Sequence, residues 1–479
     1  MEHAMQEPAV QSRIQRWLAV LNAPRDGSSL AALRVLFGLL MASSIARYFA
    51  NGWIDRFYVG RRFHFTYWGF DWVEPLPATG MYVLFAVMGV AALCIALGLF
   101  YRAATITFFV LFTYVHLLDV TNYLNHYYLV SLLSLVLCVL PLHRVASLDA
   151  RLRPSLRVAT LPLWMIALVR LQVGLVYFFA GLAKLGPDWL LHGQPLGIWL
   201  HARSDMPIVG PYLDETWVAL AMSWAGFLFD TTIVGWLLWR RSRPFAYAVV
   251  CTFHFFTHIL FDIGIFPFVM TLAATVFFEP DWPRKLWARL RRRAATSVEP
   301  DPERSARWQL GRVGLALIAG WALFHVAMPI RTHLYGGDVL WHDQGIRWSW
   351  RVMVREKNGS VMYRVRLDGS DREIQVPPSE YLDRYQEQEF AGQPDLVLQL
   401  AHHIAEHYRA AGHREVEVRV DAWASLNGRP SQRLIDPDVD LTRVRDGVLP
   451  ATYIVEGPAG PPIRLRSRRE LLESLRAAR

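Results

Sequence analysis

Lys184 is the residue around which chemistry would be organised. The chain of 479 residues carries 50 lysines and arginines, but only three are lysines: Lys184, Lys285 and Lys357. Arginine fills almost every place where a plain positive charge suffices. Arginine cannot release its proton at ordinary pH, whereas a desolvated lysine can become a neutral amine. Lys184 follows the apolar run LVYFFAGLA, so a lysine there suits work as a base. The plainer reading is a lysine snorkelling from a helix end. Lys285 and Lys357 sit in polar stretches and are expected to be wet.

Other polar side chains interrupt the apolar stretches, where they are costly and face a protein interior. Arg170 and Gln172 precede Lys184; Asp119, Asn122, Asn125 and His126 form one group; Asp230, His254 and His258 stand further on. Each has a structural alternative. Arg170 can tie helices through carbonyls or Asp230, Asn122 and Asn125 can cap a helix, and His126 at a helix start suits packing as well as proton chemistry. His254 and His258 share a helix face, but one pair falls short of the clustered ligands of a membrane metal enzyme, so no metal is expected. Together these residues suggest a polar pocket with apolar walls. A greasy substrate with an acidic hydroxyl, such as a quinol, suits it.

The elements that must position these groups are membrane helices. The chain is 53% hydrophobic and 19% charged, with charge sparse up to about residue 280 and dense after it. Apolar segments at 29–50, 78–100, 103–120, 127–143, 160–183, 215–239, 244–261, 264–279 and 309–330 predict about nine transmembrane helices. Asp262-Ile263-Gly264 offers a turn between the seventh and eighth. Residues 1–28 form an N-terminal segment in which 11–23 can lie as an amphipathic helix on the membrane. Residues 29–330 are expected to be the transmembrane catalytic domain. Arginines concentrate in alternate loops, which places the N-terminus in the cytoplasm and residues 331–479 outside. The arginine-bearing loop at 51–77 is the exception. The same bias accounts for the net charge of +9, so nucleic acid is not an expected partner. Cys94, Cys138 and Cys251 all lie in apolar runs and read as small buried hydrophobes.

Residues 331–479 predict a soluble, strand-rich α+β domain. A strand is expected from Arg347 to Glu356, a hairpin turn at Lys357-Asn358-Gly359, and a return strand from Val361 to Leu367. Residues 395–411 predict a helix, and Val416 to Trp423 alternates like a strand.

Several segments resemble, in order, the vitamin K-dependent gamma-glutamyl carboxylase family. Val176-Tyr177-Phe178-Phe179-Ala180-Gly181-Leu182-Ala183-Lys184-Leu185-Gly186-Pro187-Asp188-Trp189 resembles its VYF-x-AG-x-x-KL-x-x-DW segment. Animal enzymes have two adjacent lysines there; here the first position is Ala183 and Lys184 stands at the base. Asn125-His126 matches an Asn-His pair. Phe253-His254, Ile263-Gly264-Ile265-Phe266 and Val269-Met270 are similar to its FH and IGMF-x-x-VM stretch. Glu279 to Leu286 is similar to PEWPRKL; Leu334-Tyr335-Gly336 and Trp348-Ser349-Trp350 are similar to LYGYSW; Trp423 to Asp440 is similar to WVSIN…QRIFDPRVD.

The resemblance implies an HTTM-like membrane domain and a definite activity. Such enzymes oxidise vitamin K hydroquinone (menaquinol is an alternative here) with O2 to the epoxide. That oxidation drives removal of a γ-proton from a glutamate in a protein or peptide, and CO2 adds to the carbanion. The resemblance makes Lys184 the base towards the hydroquinone and His126 a catalytic partner, with Asn125, Tyr177 and His254 on the cofactor. The intramembrane cysteines offer no counterpart of the animal disulfide, and the shorter chain leaves propeptide recognition open. Arginine-rich, lysine-poor composition suggests a bacterial inner-membrane protein. Two other readings stand beside this one: a quinol-oxidising, epoxidising membrane enzyme without protein carboxylation, and a non-enzymatic membrane binding module.

Overall fold

A computed structural model describes residues 13–292 and 307–477. Each segment expected to span the membrane contains a helix. These are α1 (Ser28–Ala50), α2 (Ala78–Leu97), α3 (Tyr101–Leu117), α4 (Asn125–Val139), α5 (Leu163–Leu182), α6 (Thr216–Leu238), α7 (Arg243–Leu260), α8 (Phe266–Ala274) and, after α9 (Trp282–Leu290), α10 (Arg312–Ile330). Among the described residues, five of them are long and apolar enough to cross a membrane: α1, α2, α5, α6 and α10. The count of about nine is therefore not reached by length and apolarity. The helices at 125–139 and 266–277 are apolar but short. Residues 13–21 of the expected amphipathic segment are helical, and residues 1–12 lie outside the described part.

Helix crossings fix the bundle. Gly181 on α5 lies so close to α6 that a Cβ there would stand 2.6 Å from Thr231 Cγ2 and 2.9 Å from Thr231 N. Only a residue without a side chain allows this approach, and it brings the C-terminal end of α5 against the middle of α6. A short ribbon, β1 (Pro24–Asp26) with β2 (Thr160–Pro162), ties the start of α1 to the start of α5. Arg170 bonds the carbonyls of Val276 and Phe278 at 2.9 and 3.1 Å, which closes the end of the α8 segment onto α5.

Beyond the bundle, β3 (Lys357–Leu367), β4 (Glu373–Val376), β5 (Val416–Leu426) and β6 (Gln432–Arg433) form an antiparallel sheet in the order β4-β3-β5-β6. Behind it pack α11 (Arg384–Phe390) and α12 (Pro394–Ala410), with Leu396, Leu400 and Ile404 buried against Val418 and Val420. The helix and the later strand agree with expectation; the hairpin does not. Asn358 and Gly359 lie inside β3, opposite Ser425 and Ala424, and residues 347–356 form no strand. Gly359 serves close approach, not a turn: a Cβ there would stand 2.3 Å from the Ala391 carbonyl oxygen. Lys357 is also not wet, because its side chain is 1% exposed and paired with Asp343 at 3.1 Å. Lys285, half-exposed, pairs with Asp281 at 2.7 Å.

The two halves share a core. Phe65, Tyr67 and Val120 from the bundle side pack with Phe390, Leu396 and Tyr363. At this junction Arg61, nearly fully buried, pairs with Asp119 at 2.7 Å and Asp383 at 2.9 Å. An arginine in the 51–77 loop that breaks the charge pattern is thus neutralised by carboxylates from both halves.

Candidate active site

The cavity next to Lys184 has a volume of about 80 Å³. Val176, Phe253, Phe261, Phe266 and Met270 supply apolar walls, and Tyr177, Lys184, Asp230 and His254 supply its polar groups. A water occupies roughly 10–15 Å³ by this kind of measure, so the space takes a small group without rearrangement and a ring system only as the walls part.

Lys184 lies two residues beyond α5, where the chain turns into the single helical turn Pro187–Leu190. Its Nζ donates to Asp230 Oδ2 at 2.8 Å and to the Ala180 carbonyl at 3.1 Å, and stands 5.3 Å from the centre of the Trp189 ring. Both charged side chains are less than a tenth exposed. An aspartate in the middle of an apolar helix needs a partner; sequence offered Arg170, and the structure gives Lys184. The tight crossing at Gly181 makes this pairing possible. The expected free amine is therefore an ion-paired one.

Tyr177 and His254 form the second polar element. The tyrosine hydroxyl and His254 Nε2 share a hydrogen bond of 3.1 Å, while His254 Nδ1 is buried with no partner among the described residues. That orphaned nitrogen fits a guest able to donate or accept a hydrogen bond, and a hydroquinone does both. His258 is exposed, with its ring 5.0 Å from Phe268, so the two histidines do not converge on one site.

His126 is buried but does not line the cavity. Phe266 is the neighbour it shares with the site: the His126 and His254 rings lie 6.0 and 5.9 Å from it. Asn125 and Asn122 do not cap α4, whose N-cap is Leu124. Asn125 instead accepts from the Tyr123 hydroxyl at 3.1 Å and donates to the Arg351 carbonyl at 3.4 Å. Asn122 accepts from Arg61 at 3.3 Å.

Sequence reasoning missed the roof. The segment from Trp348 to Met353 comes from beyond the bundle, and neighbouring carbonyls in it meet both expected motifs: Arg351 accepts from Asn125, and Val352 accepts from Lys184 at 3.5 Å. Trp348, Trp350 and Met353 all have left-handed backbone angles (φ 62, 59 and 54). Non-glycine residues rarely adopt these, and surrounding contacts must hold them there. Trp350 stacks on Tyr128 at 4.9 Å, and the Trp348 amide donates to the Tyr123 hydroxyl at 2.7 Å.

A second tie holds the roof over Lys184. Arg429 grips Asp188 with two bonds of 2.7 and 2.6 Å, and Asn427 adds a third at 3.0 Å. Burial alone would push the Asp188 carboxyl up, but the Arg429 and Asn427 bonds outweigh it and leave the group below the usual range. Asn427 Oδ1 also accepts from the Glu356 amide at 2.9 Å, a few residues after Met353.

Residues 22–282 match the family model for the HTTM domain, and residues 311–459 match that for the vitamin K-dependent gamma-carboxylase lumenal domain. No solved structure matches the chain. Both halves match in the order that places the Lys184 segment in the first and its roof in the second, and the chain belongs to the vitamin K-dependent gamma-carboxylase family.

Proposed function

We propose that the protein carries out gamma-carboxylation of glutamate in a protein or peptide, coupled to oxidation of vitamin K hydroquinone, with O2 and CO2 as co-substrates. The observation that carries this reading is Lys184 in an apolar cavity, within the family's motif and beneath a roof from the outer domain. When bound, the hydroquinone supplies the oxidation that generates a base strong enough for the γ-carbon, which no side chain could deprotonate unaided.

The chain's own residues do the rest. Lys184 takes up the hydroxyl proton at Nζ. Tyr177 and His254 orient the head group through the free His254 Nδ1 and the shared hydroxyl. Val176, Phe253, Phe266 and Met270 keep water away, which strengthens each polar contact and protects a strong base. His126, held by Tyr127 and Phe266, acts once the walls part around a guest, and Asn125 links it to the roof. In this reading all of the about nine segments expected to span lie in the membrane and the domain after them is extracytoplasmic, in a bacterial inner membrane.

The test is an assay of purified protein in nanodiscs with vitamin K hydroquinone, O2, labelled bicarbonate and a glutamate peptide. Label in the peptide together with epoxide is the expected result. Epoxide without label would leave quinol oxidation alone.

A further inference from the structure

The ion pair between Lys184 and Asp230 bears on where the collected proton goes. Resting on the reading above, we propose that Asp230 is its final holder, acting through Lys184. A proton from the bound hydroxyl enters at Nζ, and another passes from Nζ to Asp230 Oδ2 along the existing 2.8 Å hydrogen bond. Lys184 starts and finishes as an ammonium. Asp230 goes from carboxylate to carboxylic acid, and its negative charge reappears on the deprotonated hydroxyl beside Lys184.

Charge bookkeeping in an apolar cavity favours this path. An amine that had lost its proton to solvent beforehand would leave Asp230 as an uncompensated buried anion, a strongly disfavoured state. The relay exchanges one ion pair for another, so the cavity never carries net charge. Among the described residues lining the cavity, no other charged group faces the pair. Tyr177 from α5 and His254 from α7 are the titratable neighbours in the cavity wall; α8 presents Phe266 and Met270, the turn after Lys184 presents Trp189, and the roof presents Val352 and Met353. Asp188, near in sequence, is held by Arg429.

Two measurements test it. The first needs no ligand: acetic anhydride labelling of Lys184, read by peptide mass spectrometry at pH 8. Asp230 engages the amine in a buried 2.8 Å ion pair, so Asp230→Asn should label about tenfold faster or more, and Asp230→Glu should stay near wild type. The second is infrared difference spectroscopy on adding vitamin K hydroquinone, with O2 uptake in parallel. Wild type should gain a carboxylic acid C=O band that Asp230→Asn lacks. Uptake in that variant should fall ~10²-fold, with partial recovery in Asp230→Glu. Should Asp230→Asn not fold, Asp230→Glu alone must keep the band at a shifted frequency. Equal labelling in Asp230→Asn, a band that persists there, or uptake within a few-fold of wild type would overturn the relay. A wild type that neither binds nor oxidises the hydroquinone would instead sink the functional reading, and the labelling contrast would still stand.

Discussion

Two of the chain's three lysines are buried against an aspartate, one in each half of the molecule. Lys184 meets Asp230 at 2.8 Å and Lys357 meets Asp343 at 3.1 Å, and each amine lies over a tryptophan, at 5.3 and 5.1 Å. Their surroundings differ. Asp343 is shared with Arg355, and the Lys357 amine also donates to the Trp341 carbonyl, so every charge is used within the fold. Lys184 has one carboxylate, two carbonyls and an open cavity on its remaining side. On the proposed reading, burial and an ion pair are thus not enough to make a base. What separates the two is room for a second molecule beside the amine.

The largest expected effect sharpens the structural side of this contrast. Asp343→Ala strands both Lys357 and Arg355 and should cost ~3–5 kcal/mol, read as a large fall in the unfolding temperature. A fall of only a degree or two would break the view of this pair as a structural clamp. Next, Gly181→Ala forces α5 away from α6 at Thr231 and should cost ~1–3 kcal/mol. It should slow quinol oxidation through a lengthened Lys184–Asp230 contact, and Thr231→Ala should relieve it only partly, because the Thr231 amide remains in the way.

Arg429→Lys comes third. It loses the two-pronged grip on Asp188 and should cost ~1–2 kcal/mol. Amide exchange in residues 350–356 should quicken roughly five- to thirtyfold, since each 1.4 kcal/mol is about tenfold; unchanged exchange would mean the roof is held without this tie. The smallest effect is a pH dependence. Burial pulls the Lys357 amine down to about 8, against the opposing pull of Asp343. The unfolded chain then binds more protons between about pH 8 and the ordinary lysine value of 10.5, so stability rises with pH through that window. The unfolding temperature of wild type should gain a few degrees on Lys357→Met between pH 8 and pH 10, and a constant gap would contradict it.

How far the sequence reads depends on distance along the chain. Helices came from local apolar runs, and Lys184 stood out because arginine replaces lysine almost everywhere else. Asp230 was visible as a misplaced carboxylate, but its partner lies 46 residues away and depends on a helix crossing that Gly181 permits. The Val352 carbonyl is 168 residues from Lys184 and reaches it through an irregular, left-handed segment with no periodic signature. Asn358-Gly359 misled because a glycine that admits a neighbouring backbone looks the same as one that turns a chain. Lys357 misled for a related reason: polar flanks suggested water, while an 11-residue strand carried its side chain inward.

The most direct test of the central claim compares the two buried lysines in one assay. Wild type, Lys184→Ala and Lys357→Met, each purified in nanodiscs and checked for folding, would be given vitamin K hydroquinone and O2, and epoxide formation followed. The account predicts a loss of ~10²–10⁴-fold for Lys184→Ala and a rate within a few-fold of wild type for Lys357→Met. Full epoxide formation by Lys184→Ala would contradict it.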